Sequence, residues 1–293
     1  MVERLSTYTP VIFFNTIFKG IAQIMLQENT ITGILFLLGV SYGYPLMGLA
    51  LLTATIAGTI TAILFRFDKD ETIKGIYGFS AALVGAGLIL LFKPSFLLWI
   101  VILMAAGLAS VIQNFFSRKN IPVYTLPFIL VVWLVWYVFK DLNYLQLQST
   151  IDTNETIQQN FTFIFSSIGQ VIFQDNVIIG ILFFIGLAVS STMAALVAVF
   201  SSAVAALFAY YFQLPTTEIV LGLYGYNAVL CAIVFADIKP ISLLWIVLAT
   251  LLSIVITIVL NNINIIPLTF PFVASCWILL LIKNQFYRLQ KVA

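Results

Sequence analysis

Apolar stretches broken by short polar or glycine-rich interruptions fill almost the whole chain. They fall at about 11–26, 31–42, 44–65, 75–92, 95–116 and 121–139, and again at about 161–173, 177–189, 190–212, 222–236, 240–260 and 266–282. A helix needs roughly 20 apolar residues to cross a hydrocarbon core, so the longer runs are predicted to span it and the shorter ones are not. A short apolar helix at membrane depth ends in protein or lines a cavity, because lipid cannot satisfy its terminal backbone groups. The pattern predicts an all-α polytopic membrane protein. Each half would hold about five transmembrane helices and at least one half-length one.

The two series of runs are copies of each other. "GIYGFSAALVG" at 75–85 returns as "GLYGYNAVLCA" at 222–232, and "AQIMLQENTITGILFLLG" at 22–39 returns as "GQVIFQDNVIIGILFFIG" at 169–186, both 147 positions later. In the second pair 9 of 18 positions are identical, and they include Gln, Asn and Gly as well as aliphatic residues. Chance matching of greasy segments would not keep polar residues in register. Pro94 and Trp99 match Pro240 and Trp245 at an offset of 146, and "TLPF" at 125–128 matches "TFPF" at 269–272 at 144. The drift predicts small loop deletions in one copy. The expected organisation is a first repeat at 1–146, a connector at 147–160 and a second repeat at 161–293.

Composition fixes the solvent. Charged residues are 8% of the chain and hydrophobic ones 62%, where a soluble domain carries about 25% charged residues to cover its surface. The outside therefore faces lipid. The polar start "MVERLSTYTP" gives no expectation of a cleavable signal peptide. A net charge of +2 implies no nucleic-acid partner.

Lysine and arginine are absent between Lys140 and Lys239, and the polar connector at 141–160 lies in that gap. The positive-inside bias puts the connector outside and both termini in the cytoplasm. Similar halves with odd numbers of crossings must then be inserted upside down relative to each other. Asn154 and Asn160 head two N-X-S/T sequons in the connector; chance occurrence is the default reading.

Each half carries three clusters of interest. Gln23 with Gln27, and Gln170 with Gln174, are four apart and are expected on one helix face. They line a pore or bond helices together. Glu28, Asn29, Asp175 and Asn176 after them read as helix-end caps. Gly75 and Gly78, like Gly222 and Gly225, allow close backbone approach or expose carbonyls. Phe79 with Leu83, and Tyr226 with Leu230, share a helix face, as pore lining or ordinary packing. Thr125 and Thr269 head Thr-X-Pro-Phe, which marks a helix start just after each threonine, as a pore residue or a plain cap.

No acid or base lies in the middle of an apolar run, and there is no histidine. Carriers driven by protons or sodium place ionisable groups at depth, so a neutral passenger and passive movement are expected. No nucleophile–base pair and no metal-ligand set is visible, so neither an enzyme nor a cofactor is expected. Cys231 and Cys276, both in apolar runs, read as buried bystander thiols.

Taken together, the Gln-X-X-X-Gln run with Asn and Gly, the doubled "YGF"/"YGYN" stretch and the doubled Thr-X-Pro-Phe resemble the urea transporters over nearly the whole chain. The resemblance implies two inverted halves of five helices plus a half-spanning helix. It also implies a homotrimer in the cytoplasmic (cell inner) membrane, with one pore per protomer and passive, channel-like urea flow.

By motif, one flat slot would be Leu26, Phe79, Leu83 and Val171, and the other Ile24, Phe173, Tyr226 and Leu230. Thr125 and Thr269 would face the midpoint, with Gln23 and Gln170 at the slots and a ladder of backbone oxygens alongside. Leu26 departs from this pattern, since its repeat partner is Phe173 and the resemblance implies Phe. One slot is therefore expected to be looser.

The rival readings are an ammonium or water channel, and an ion-coupled carrier for a small amide using Glu28 or Asp175. A membrane-embedded enzyme or assembly subunit is a further alternative.

Overall fold

In the computed structural model, residues 9–119, 121–140, 145, 147, 162–237 and 241–292 are described. The polar start at 1–8, most of the 141–160 connector with its two sequons, and Pro240 lie outside the described residues.

The apolar runs become helices where the sequence supplies starts. Thr9 accepts a hydrogen bond from the Ile12 amide and Pro10 fills the first turn, opening α1, Pro10–Ala22. A single 3-10 turn, Gln23–Met25, follows. Asn29 caps α2, Thr30–Gly43, and Pro45 opens α3, Pro45–Leu64. Asp68 caps the short α4, Lys69–Ile73, and α5, Phe79–Leu91, comes next. Ser95 caps α6, Phe96–Ser117, and α7 runs Leu126–Phe139.

The same seven elements then recur in the same order: α8, Phe163–Gln170; α9, Val177–Ser190; α10, Thr192–Tyr211; α11, Thr216–Val220; α12, Tyr226–Phe235; α13, Ile241–Asn262; and α14, Phe270–Val292. Both ends of α2, α3 and α4 reappear 147 positions later in α9, α10 and α11. The offset has fallen to 145 at α6 and α13, and to 144 at the starts of α7 and α14, as the drift in the sequence predicts.

The backbone repeats as closely as the helices do. Positive φ occurs at Leu26 (61°) and Phe173 (59°), at Arg66 (57°) and Gln213 (52°), at Gly75 (80°) and Gly222 (78°), and at Tyr124 (49°) and Leu268 (45°). The first three pairs lie 147 apart and the last 144 apart.

The long helices α3, α6, α10 and α13 are long and apolar enough to cross a membrane, and α1 with α2 forms a pair bent by 74° at the Leu26 turn. Their faces are sorted by size. On α6 the buried side holds Ala105, Ala106, Ala109 and Ser110, while Ile100, Leu103, Met104 and Leu108 point outward. On α10, Ala194, Ala195, Ala198, Ser201, Ser202 and Ala205 face in, and Leu196, Phe200 and Leu207 face out. Large apolar residues outside and small ones inside are what lipid-exposed helices need, since close van der Waals approach rather than hydrophobic sorting holds them together. The chain is a multi-pass membrane protein.

The chain divides into two compact units. One is Met1–Thr156 with Ile172–Gln174 and Ile185–Ser190; the other is Ile157–Val171 with Asp175–Phe184 and Ser191–Ala293. Within the first unit α3 packs on α5 and α6, and α5 also contacts α7 and the Gln23–Met25 turn. Within the second, α10 packs on α12, and α12 on α13, α14 and α8.

Candidate functional site

The glycine loops leading into α5 and α12 position the aromatics of the doubled stretch. After α4 the amide of Gly75 donates to the Thr72 carbonyl, and the amide of Gly78 donates to Gly75. Phe79 is thereby delivered as the first residue of α5. In the second unit Gly222 donates to Ile219, Gly225 donates to Gly222, and Tyr226 opens α12.

Gly75 is required twice over. Its φ is in the left-handed region, and a Cβ there would stand 2.3 Å from the Gly20 amide nitrogen. A Cβ on Gly222 would stand 2.4 Å from the Ser167 amide nitrogen. The expectation that these glycines permit close backbone approach holds in both loops.

Phe79 and Leu83 are both buried on α5, and Leu230 is buried on α12 beside the half-buried Tyr226. The two aromatics differ in what their tips do. The Tyr226 hydroxyl donates to the Leu268 carbonyl at 2.6 Å, and the Asn227 side-chain amide donates to the same oxygen at 3.3 Å. Both lone pairs of that oxygen are thus engaged. The Asn227 oxygen accepts from the Phe272 amide at 3.2 Å, so one side chain clamps the start of α14 from both sides. Asn227→Ala leaves the buried Phe272 amide without that acceptor. It is expected to cost about 1–3 kcal/mol, seen as a lower melting temperature of the purified chain.

The glutamine pairs correct the sequence reading. Gln23 and Gln27 do not share a helix face, because the helix ends between them at the left-handed Leu26. The half-buried Gln23 donates through Nε2 to the Lys74 carbonyl at 3.1 Å, tying the broken helix to the glycine loop. Gln27 is buried and turns back to the Met25 carbonyl at 2.9 Å. Gln174 repeats that turn toward the Ile172 carbonyl at 3.4 Å, past the left-handed Phe173, and also reaches Met47 Sδ at 3.2 Å. Gln170 is half-buried at the end of α8.

Asn29 and Asn176 accept from Thr32 and Ile178 amides and act as caps, as expected. Glu28 pairs with Lys19 at 2.9 Å.

Thr125 and Thr269 are both buried and stand just before α7 and α14, where the Thr-X-Pro-Phe motif predicts helix starts. Thr125 sits at the cap position without a side-chain capping bond, so the plain-cap reading does not describe its hydroxyl. Among the other candidates, Ile24 and Val171 are buried, and Leu26 and Phe173 are half-buried. The Phe173 ring lies 6.2 Å from that of Phe128 on α7. The first unit holds Gln23, Ile24, Leu26, Phe79, Leu83, Thr125 and Phe173; the second holds Gln170, Val171, Tyr226, Leu230 and Thr269.

Sequence reasoning missed a doubled tyrosine–glutamate pair. Tyr77 donates to Glu71 at 2.5 Å and Tyr224 to Glu218 at 2.6 Å. Burial, and then the neighbouring carboxylate, hold both phenols well above their ordinary value. Each pair faces a cleft within its own unit, of about 570 Å³ in the first, where Asn114 adjoins, and about 530 Å³ in the second, with Asn261. The signal was present in the sequence: Glu71, Tyr77 and Asn114 each recur 147 positions later.

The family model described as "Urea transporter" matches residues 14–284. The chain is 26% identical to Urea transporter 1 of Rattus norvegicus over 239 residues, covering 75% of this chain and 62% of that protein. It is 27% identical to Urea transporter 1 of Mus musculus over 240 residues and 26% identical to that of Ovis aries over 239, at the same coverage of each. The chain thus spans about 62% of the length of these relatives. With the match running through the broken helix, both glycine loops and both Thr-X-Pro-Phe starts, this chain belongs to the urea transporter family.

Proposed function

We propose that the chain lets urea cross the membrane passively, as a channel. The observation that carries this reading is the pair of apolar helices broken at Leu26 and Phe173, each followed by an Asn cap and joined in the family match to the doubled glycine loop. Helix ends inside an apolar slab turn backbone carbonyls toward whatever occupies the break. Urea is flat, uncharged and rich in N–H donors. Stripping its water costs several kcal/mol unless acceptors replace it at once, and main-chain oxygens are such acceptors. One slot comprises Leu26, Phe79, Leu83 and Val171, and the other Ile24, Phe173, Tyr226 and Leu230. Gln23 and Gln170 sit at the slots, and Thr125 and Thr269 lie toward the midpoint.

The repeats at 1–146 and 161–293 are inverted about the membrane plane, with the 147–160 connector outside and both termini in the cytoplasm. The protein works as a homotrimer in the cytoplasmic membrane, with one pore per protomer. The Lys19–Glu28 pair supports passive movement, since the acid is already neutralised by a neighbour.

Urea flux into proteoliposomes is expected to be the same with and without an ion gradient. Flux that needs the gradient overturns the passive mechanism, and conduction of ammonium or water without urea overturns the substrate. Phe79→Ala or Phe173→Ala is expected to widen a slot and raise the passage of larger amides relative to urea. Unchanged discrimination in both variants refutes the slot assignment.

A further inference from the structure

The cleft of the first unit differs from its repeat partner in charge. It is bordered by Arg66 in the turn before α4, by Lys69 at the first position of α4 and by Arg118 at the end of α6. None of the three forms an ion pair among the described residues. The two acids at the same cleft are already engaged by local donors: Asp68 accepts from the Glu71 amide at 2.9 Å, and Glu71 accepts from the Tyr77 hydroxyl. Lys119, next in sequence, is set over the Phe115 ring at 4.1 Å instead.

The cleft of the second unit keeps the tyrosine–glutamate pair but has no lysine or arginine in its lining. Gln213 and Thr216 stand where Arg66 and Lys69 stand in the first copy. The turn itself is the same, since Gln213 shares the left-handed φ of Arg66. The basic lining is therefore not a by-product of the repeated backbone.

We propose that the first-unit cleft binds a phosphate-bearing anion, held by Arg66, Lys69 and Arg118. Guanidinium groups match phosphate oxygens through paired N–H donors, and lysine adds a point charge. The volume of about 570 Å³ leaves room for a headgroup-sized ligand. Large exposed apolar side chains adjoin it: Leu64 and Phe65 immediately before Arg66, and Phe115 one turn before Arg118. The cations thus lie at the border of the lipid-facing surface, where the phosphate of a membrane lipid is near at hand and a free phosphate can also enter. Basic clefts at such borders hold anionic headgroups, at about fivefold in affinity per cation. The site is separate from the proposed pore residues, so the proposal stands or falls independently of urea conduction.

The test uses the full chain purified in detergent. It is mixed with equal phosphatidylglycerol and phosphatidylcholine and examined by native mass spectrometry, and it is titrated separately with inorganic phosphate by calorimetry. Preferential retention of phosphatidylglycerol, weakened about fivefold for each of Arg66→Gln, Lys69→Gln and Arg118→Gln and lost in the triple variant, supports the site with lipid as the source. Saturable phosphate binding without lipid preference, lost in the same variants, supports it with free phosphate as the source. Equal retention of both lipids with no phosphate binding overturns the proposal. So does preferential retention or phosphate binding that survives the triple variant. If the triple variant does not fold, Arg118→Gln alone decides: undiminished binding in that variant overturns the site.

Discussion

Gly75→Ala and Gly222→Ala are each expected to prevent the chain from accumulating in a folded form. Two costs coincide at these positions. An L-residue in the left-handed region costs roughly 1–2 kcal/mol. The added methyl would also meet backbone nitrogen, of Gly20 at 2.3 Å and of Ser167 at 2.4 Å, and overpacking costs typically about 1–3 kcal/mol. Backbone cannot swing aside as a side chain can, so the sum of about 2–5 kcal/mol falls on a total stability of about 5–15 kcal/mol.

Two further substitutions separate the causes. At Gly33 the backbone is an ordinary helix, but a Cβ would lie 1.8 Å from the Phe18 carbonyl oxygen, so Gly33→Ala carries the steric cost alone. At Gly107 the nearest atom is the Thr61 side-chain oxygen at 3.1 Å, and Gly107→Ala is expected to be neutral or slightly stabilising. Size-exclusion profiles and thermal melts in detergent read the series. A Gly75→Ala protein that melts with wild type would remove the close crossing from the account.

Glu71→Ala and Glu218→Ala are expected to destabilise by about 1 kcal/mol each, because each phenolic hydroxyl loses its carboxylate acceptor, with Asn114 Oδ1 at 3.4 Å a second acceptor for Tyr77. Both hydroxyls lie at the edge of a cleft, so water can take over part of the carboxylate's role and the cost falls at the low end of the range for a lost acceptor. Glu→Gln keeps an acceptor oxygen and should cost less. Combining Glu71→Ala with Tyr77→Phe should recover part of the loss, since the orphaned hydroxyl is then removed as well.

The pH dependence has a definite sign. Because the folded phenol is held above its ordinary value, its contribution is complete below about pH 10 and is lost as the pH rises further. The advantage of wild type over Tyr77→Phe should therefore shrink above that pH in thermal melts. Equal melting of Glu71→Ala and wild type at neutral pH would show the pair to be incidental.

Much of the fold was legible because membrane helices write themselves plainly. The apolar runs at about 44–65 and 190–212 contain α3 and α10 with ends shifted by at most two residues, since lipid enforces long unbroken apolar helices. The repeat was legible as well, down to the fall in offset toward the Thr-X-Pro-Phe motifs. Glycine, proline and asparagine mark turns and caps by their own backbone chemistry. Gly75, Gly222, Asn29 and Asn176 accordingly sit where their residue types suggested.

The site was legible only in part. Gln23 and Gln27 carry the spacing of a helical face, yet a left-handed residue separates them. That residue is Leu26, and its counterpart is Phe173; the apolar runs stop there and the Asn caps follow, but neither residue type favours the left-handed region, so nothing local announces that turn. Likewise Tyr226 matches Phe79 in the repeat, but its hydroxyl engages a carbonyl 42 positions away.

Residue types and their spacing were enough to settle the class of the molecule, its duplication, its lipid-facing character and the two glycine loops, because each follows from solvent and local stereochemistry. Only the folded chain decided that Leu26 and Phe173 turn left-handed, that Tyr77 and Tyr224 reach back six residues to a glutamate, and that Asn227 clamps α14. Such pairings depend on a few dihedral angles at turns, and packing, rather than the residues at the turn, sets those angles.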